Sequence, residues 1–171
     1  MAVYQTHFAE DIVKEKLQKV FQNKVNVWVP TKDTGVDILL TDKQNNKIAS
    51  LQVKWSKNYN SDYQNKNSYG GWFAFKKKKI ENSKADYWVL VVPSNFEKKF
   101  QFMVIKPSEM VEIYQKLDLY HDTINSYIDI VGDKVYESRG LPNNQRNLET
   151  LQNFEDREIS MYLNNWERLM K

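Results

Sequence analysis

Polar and apolar positions alternate most regularly between residues 36 and 55. Leu51, Val53 and Trp55 fall on one side of a period-2 pattern, and Ser50, Gln52 and Lys54 fall on the other. The run 36–41 is also rich in β-branched and apolar residues, and the polar stretch 42–47 lies between the two. The pair predicts a β-hairpin with one packed face and one polar face. A two-residue turn at Gln44 and Asn45 would pair Lys43 with Asn46, and would therefore set Asp37 opposite Gln52. A slip of one residue would set Asp37 beside Val53 instead.

Upstream the period changes to that of a helix. Over 8–22, Phe8, Ile12, Val13, Leu17, Val20 and Phe21 form a broad apolar arc. Glu10 falls inside this arc, in a row with Val13, Leu17 and Phe21, whereas Asp11, Lys14 and Glu15 lie outside it. A carboxylate facing a core is costly unless it meets a cation or a donor. Glu10 is therefore either a rim residue or a group that works beside Asp37 and Lys54.

The remaining pattern predicts an element order. It reads helix 6–22, strand 25–30, strand 35–42, strand 47–55, a loop to a short helix near 72–83, then strand 86–92. Residues 87–92 are all apolar or aromatic, as expected of a strand covered on both faces. A further strand is expected at 100–105 and a helix at 107–117, with Met110, Val111, Tyr114 and Leu117 inward. Residues 127–136 suggest a peripheral hairpin turning at Gly132. A long helix over 145–170 would bury Leu148, Leu151, Phe154, Tyr162, Trp166 and Leu169 or their neighbours.

Composition narrows the chemistry. At 171 residues with 13% aromatics, the chain fits one packed domain. The net charge of +3 favours nucleic acid weakly, and the cations are mostly Lys, which suits phosphate contacts better than the reading of bases. The absence of cysteine excludes disulfides, thiol catalysis and Cys-ligated zinc. No stretch reaches the roughly 18 apolar residues of a membrane span, and the first residues lack an apolar signal region. A cytoplasmic location is the resulting expectation. No phosphate-cradling glycine loop, dinucleotide fingerprint or zinc-protease motif is present. His7 and His121 are isolated, although His7 is close enough to Glu10 to share its side of the helix.

The candidate chemistry sits on the polar face of the hairpin. A carboxylate such as Asp37 can hold a divalent cation, the amide oxygen of Gln52 can join it, and Lys54 can stabilise charge on a phosphate. Ser56 and Lys57 follow directly and are candidates for phosphate contact. The stretch 56–71 interleaves Lys, Asn and Tyr, which can touch phosphates and stack on bases, or simply form a solvated loop. Lys76, Lys77, Lys78 and Lys79 form either a phosphate-binding patch or a solvated face.

Over residues 6–105, the α-β-β-β-α-β order, with Asp37 on the second strand and Gln52-Val53-Lys54 on the third, resembles the PD-(D/E)xK nuclease superfamily. That resemblance implies an α/β fold with a restriction endonuclease-like core, a mixed central sheet flanked by helices. An extra C-terminal hairpin and the long helix would occupy 106–171. It further implies a divalent-metal-dependent DNA endonuclease using Mg2+ or Mn2+, in restriction, defence or DNA processing. RNA is an alternative substrate, and a homodimer would suit the cutting of two strands. By the same resemblance, Asp37 matches the metal-binding acid, Gln52 the second acidic position and Lys54 the lysine. The carbonyl of Val53 would be a further ligand, and Glu10 would match a helix glutamate found in several branches. Val36 stands where the motif has proline, a mild departure. Gln52 stands where Asp or Glu is usual, which keeps an oxygen ligand but removes a full negative charge. Magnesium then binds more weakly. Gln-x-Lys branches exist, including modification-dependent restriction enzymes of the Mrr type. A non-catalytic member of the fold that binds nucleic acid or a protein is the competing expectation, and Gln52 is its main support.

Overall fold

A computed structural model describes residues 3–32, 34–57, 68–94, 99–146 and 148–171. The chain is mixed α/β. Helix α1 (Val3–Phe21) leads into strands β1 (Asn26–Trp28), β2 (Ile38–Thr41) and β3 (Lys47–Trp55). Strand β4 (Ser68–Lys76) and helix α2 (Lys77–Glu81) then cross over to β5 (Tyr87–Pro93). Strand β6 (Phe100–Ile105), helix α3 (Pro107–Lys116), and strands β7 (Thr123–Val131) and β8 (Lys134–Glu137) follow. The main sheet has the order β1-β2-β3-β5-β6, with β3 and β5 parallel and every other neighbouring pair antiparallel. A second, antiparallel sheet has the order β4-β7-β8.

The alternation of β5 explains how the layers stack. Tyr87, Val89 and Val91 point into one core with Ala9, Val13, Leu17 and Phe21 of α1 and with Trp166 and Leu169. Trp88, Leu90 and Val92 point into a second core with Phe73, Phe75, Ile128 and Ile130 of the small sheet and Met110 and Tyr114 of α3. A strand buried on both faces needs the continuous apolar run that the sequence shows. Each large side chain so buried contributes roughly 1.5–3 kcal/mol before entropy is set against it. At Gly71 the small sheet lies close against β5, because a Cβ there would lie 2.8 Å from Phe73 of the same strand and 3.3 Å from Val92.

On α1 the apolar stripe is narrower than its sequence suggests. Ala9, Val13, Leu17 and Phe21 are buried at i, i+4 spacing, while Phe8 and Val20 are 52% and 39% exposed. Phe8 still meets the rings of Trp55 and Phe100 edge-on.

The 38–55 hairpin reaches the expected register by a different route. Asp42 closes the turn by accepting the N–H of Asn45 and donating its own N–H to Asn46 at 2.9 Å, with Asn45 in the left-handed region at φ 65°. The loop is therefore longer than two residues. A bulge between Leu40 and Thr41 restores the alignment, so Leu40 pairs with Ala49 and Ile38 with Leu51.

Three expectations are corrected. The segment 72–83 is not one helix. Residues up to Lys76 form β4, with Phe73 and Phe75 buried and Ala74 outward, a period-2 pattern; only Lys77–Glu81 is helical. An additional strand therefore stands between β3 and α2 in the expected order. The hairpin 127–136 is not peripheral, because β7 pairs with β4 along its whole length to build the second sheet. The long C-terminal helix over 145–170 is absent. A helical turn α4 (Leu148–Leu151) is followed by 3-10 turns at Glu155–Arg157, Ser160–Tyr162 and Trp166–Met170. Leu151, Tyr162, Trp166 and Leu169 are nevertheless buried. The apolar residues recur at i, i+3 (151 and 154, 159 and 162, 166 and 169), the repeat of a 3-10 turn as much as of an α-helix. Asn164 breaks the run at φ 49°, and its N–H donates to the Phe102 carbonyl at 2.7 Å.

Candidate functional site

The two faces of β3 separate packing from chemistry. Ala49, Leu51 and Val53 face α1, while Gln52 and Lys54 face the side occupied by the small sheet and α2. Ser50, on that same side, is used structurally. Its N–H and hydroxyl both donate to Asp86 at 2.8 Å, and Lys47 pairs with Asp86 at 2.9 Å. Burial works to raise the Asp86 carboxyl, but these bonds outweigh it and hold the group below its ordinary range. The start of β5 is thereby tied to β3 next to the cleft.

On this face, between Ser50 and the contact of Ser56 with the small sheet, a cleft of about 350 Å³ opens. Its floor is Gln52, Val53, Lys54 and Trp88, and Thr34, Gly35 and Asp37 form one wall. The end of α2 and the turn after it supply Lys78, Lys79, Asn82, Ser83 and Lys84. Gly35 adopts φ 80°, a backbone conformation in which a side chain would be strained, and it brings the chain round to Asp37.

Asp37 lies just before β2. Its N–H donates to the Leu51 carbonyl at 2.8 Å, and its Oδ2 accepts the Val53 N–H at 2.7 Å and the Nε2–H of Gln52. The carboxylate thus takes up the edge of β3 where pairing with β2 has ended. Lys54 Nζ lies 5.3 Å from the centroid of the Trp88 ring, whose indole N–H donates to Ser83 Oγ at 2.9 Å. Asp37, Gln52 and Lys54 therefore meet in one cleft. Among the described residues its lining holds four lysines, at 54, 78, 79 and 84, against the single carboxylate of Asp37. Such an imbalance attracts an anion.

The other sequence candidates are distributed differently. Glu10 is half-buried on α1 and does not line the cleft, because α1 packs on the opposite face of β3. Ser56, expected at a phosphate, is 3% exposed; its hydroxyl donates to the Lys57 carbonyl at 2.7 Å and accepts the Trp72 N–H at 2.9 Å. It joins the two sheets and is not part of the lining of this cleft. Lys57 is exposed, with Nζ 4.9 Å from the Trp72 ring centroid. Of the lysine run, Lys78 and Lys79 reach the cleft. Lys76 instead donates to Thr123 Oγ1 at 2.7 Å, and Lys77 lies 4.6 Å over Tyr120 and 3.9 Å from Glu81. Residues 58–67 of the polar stretch, and the side chain of His7, lie outside the described residues.

Sequence reasoning missed Trp88, Lys84 and the Asn82–Ser83 turn as parts of the cleft. Trp88 sits in an apolar run and reads as core, which it also is, at 2% exposure. Nothing local marks Lys84, which meets Lys54 only through the crossover.

Among the described residues, no group of three or more His, Asp or Glu side chains is placed to hold a metal ion. The oxygen donors brought together by Asp37 are its carboxylate, the Gln52 amide and the Val53 carbonyl, and Thr34, Asn82 and Ser83 add side-chain oxygens elsewhere in the lining. That set fits a weakly held hard cation, since magnesium usually takes one or two carboxylates and completes its shell with water and substrate phosphates. No helix of the described residues is long and apolar enough to cross a membrane. Comparison with protein-family models, curated proteins and solved structures returns no match.

Proposed function

We propose that this chain is a divalent-metal-dependent endonuclease acting on DNA, with a restriction endonuclease-like PD-(D/E)xK core in its Gln-x-Lys form. The observation that carries the reading is the meeting of Asp37, Gln52 and Lys54 in one lysine-lined cleft. Asp37 would hold Mg2+ or Mn2+, joined by the Val53 carbonyl and, once its side chain turns, the Gln52 amide oxygen. A bound ion of this kind acidifies water and stabilises charge on phosphoryl oxygens. Lys54 would stabilise the negative charge that builds on the scissile phosphate. Lys78, Lys79 and Lys84 draw the neighbouring backbone phosphates into the cleft.

A second reading is favoured by a specific bond. The Gln52 amide donates to Asp37, so the one carboxylate that lines the cleft among the described residues already serves as a hydrogen-bond acceptor at the edge of β3. On this reading the cleft binds nucleic acid without cutting it. Supercoiled plasmid incubated with Mg2+ or Mn2+ separates the two. The nuclease reading expects nicking and linearisation by the wild type and none by Lys54→Ala. No cleavage of methylated or unmethylated plasmid with either metal would favour the binder.

A further inference from the structure

On the outer face of the small sheet, away from the Asp37 cleft, cations and aromatic rings are interleaved in a row. Trp72 and Tyr127 are paired across β4 and β7, their ring centroids 6.2 Å apart and their planes at 67°. Lys57 Nζ lies 4.9 Å from the Trp72 ring at one end. The guanidinium carbons of Arg139 and Arg146 each lie 5.0 Å from the Tyr127 ring at the other. Further bonds hold the row in place. Trp72 Nε1–H donates to Asn125 Oδ1 at 3.4 Å, Arg139 to the Tyr127 hydroxyl at 3.0 Å, and Arg146 Nε–H to the Leu141 carbonyl at 2.9 Å.

Two features separate this row from ordinary surface. The chain has four arginines among its 25 cations, and two of the four share one tyrosine ring. Among the described residues, none of Lys57, Arg139 and Arg146 forms an ion pair with a carboxylate. Among the described residues the two guanidiniums are therefore held by hydrogen bonds and the three cations meet no carboxylate, a balance that favours a polyanion. Rings set between the cations add a second requirement, a partner with exposed flat groups between its charges. A single nucleic-acid strand alternates phosphate and base in this way, whereas a duplex keeps its bases stacked inside.

We propose that the row from Lys57 through Trp72 and Tyr127 to Arg139 and Arg146 is a binding platform for single-stranded nucleic acid. Bases stack on the guanidinium planes and beside the Trp72 ring, and phosphates meet the cations. None of these residues lines the Asp37 cleft. The platform stands whether or not that cleft cuts.

The test is fluorescence anisotropy of labelled oligo(dT) and of a hairpin duplex, in EDTA so that no cleavage intervenes. Oligo(dT) is expected to bind more tightly than the duplex. It should weaken roughly fivefold or more in Lys57→Glu and in the double variant Arg139→Gln/Arg146→Gln. The salt slope should fall by about 0.7 for each phosphate that is no longer neutralised. Lys57 is exposed, so its variant keeps the test informative if the double variant folds poorly. Affinity for oligo(dT) unchanged in Lys57→Glu, or a preference for the duplex, overturns the proposal. Binding weakened by Lys84→Gln and not by Lys57→Glu would assign the strand to the Asp37 cleft and overturn it equally. Failure of plasmid cleavage leaves all of these outcomes readable.

Discussion

The backbone N–H of Val53 donates to the carboxylate of Asp37 across 2.7 Å, at the point where β2 has stopped pairing with β3. One side chain thereby replaces a strand neighbour, and it carries a negative charge into a cleft whose other charged groups, among the described residues, are lysines. Structural and chemical roles are combined in Asp37, and they can be separated by substitution.

Asp37→Asn keeps an oxygen for the Val53 N–H and removes the charge, so its stability should stay within about 1 kcal/mol of wild type. Asp37→Ala leaves that donor without its acceptor and should cost about 1–3 kcal/mol. Urea unfolding measures the difference, while both variants should lose plasmid cleavage. An Asn variant that cleaves normally would remove Asp37 from the proposed metal site.

Gln52→Glu would place a second carboxylate where the amide now donates to Asp37. Without metal the two charges repel and the protein should melt at a lower temperature. Added Mg2+ or Mn2+ should reverse the loss, and affinity for the ion should rise because hard cations prefer anionic oxygen. Calorimetric titration with Mn2+ reads this directly. Equal affinity in variant and wild type would show that Gln52 is not a ligand.

Ser56→Ala removes the acceptor of the Trp72 N–H, a bond between the sheets, and the donor to the adjacent Lys57 carbonyl. A loss of about 1–3 kcal/mol in unfolding free energy is expected. DNA affinity of the folded fraction should not change. A variant as stable as wild type but weaker in DNA binding would restore the phosphate role read from its position beside Lys54.

Glu137 is fully buried, and burial pushes its carboxyl up to about 7, despite bonds from Ser126 and from the N–H groups of Arg139 and Tyr127. Its folded value thus lies above its unfolded one. The stability that this group contributes is full below about pH 4.5 and is lost as pH rises through about 7. The loss amounts to something on the order of 3 kcal/mol. Glu137→Gln keeps the shape and the acceptor oxygen, so it should unfold with less dependence on pH across this window. Denaturant midpoints at pH 5 and pH 8 measure the slope. Parallel behaviour of wild type and variant would show that Glu137 does not titrate there.

Much of the candidate site was legible because hairpin alternation is local. A period of two separates Gln52 and Lys54 from Leu51 and Val53 whatever the rest of the chain does. The expected neighbours Asp37 and Gln52 are together, though through a longer turn compensated by a bulge. Glu10 shows the limit of the same method. Periodicity identified the side of α1 on which it lies, but could not tell which face of β3 the helix would cover. The C-terminal segment shows another limit. Spacings of three residues identified side chains that are buried, yet the same spacing suits 3-10 turns, and the chain leaves the helix already after Leu151.

By itself the sequence determined the polar face of β3, the doubly buried strand β5, the amphipathic α1 and the positions of several buried residues. Each of these depends on the repeat of neighbouring side chains along one element. Only the tertiary structure decided that Lys78, Lys79, Lys84 and Trp88 surround Lys54, that Ser56 faces inward, and that Arg139 and Arg146 converge on Tyr127. Those meetings depend on the order of strands in two sheets and on a crossover through β4 and α2. Such meetings join residues distant in sequence and leave no period in it.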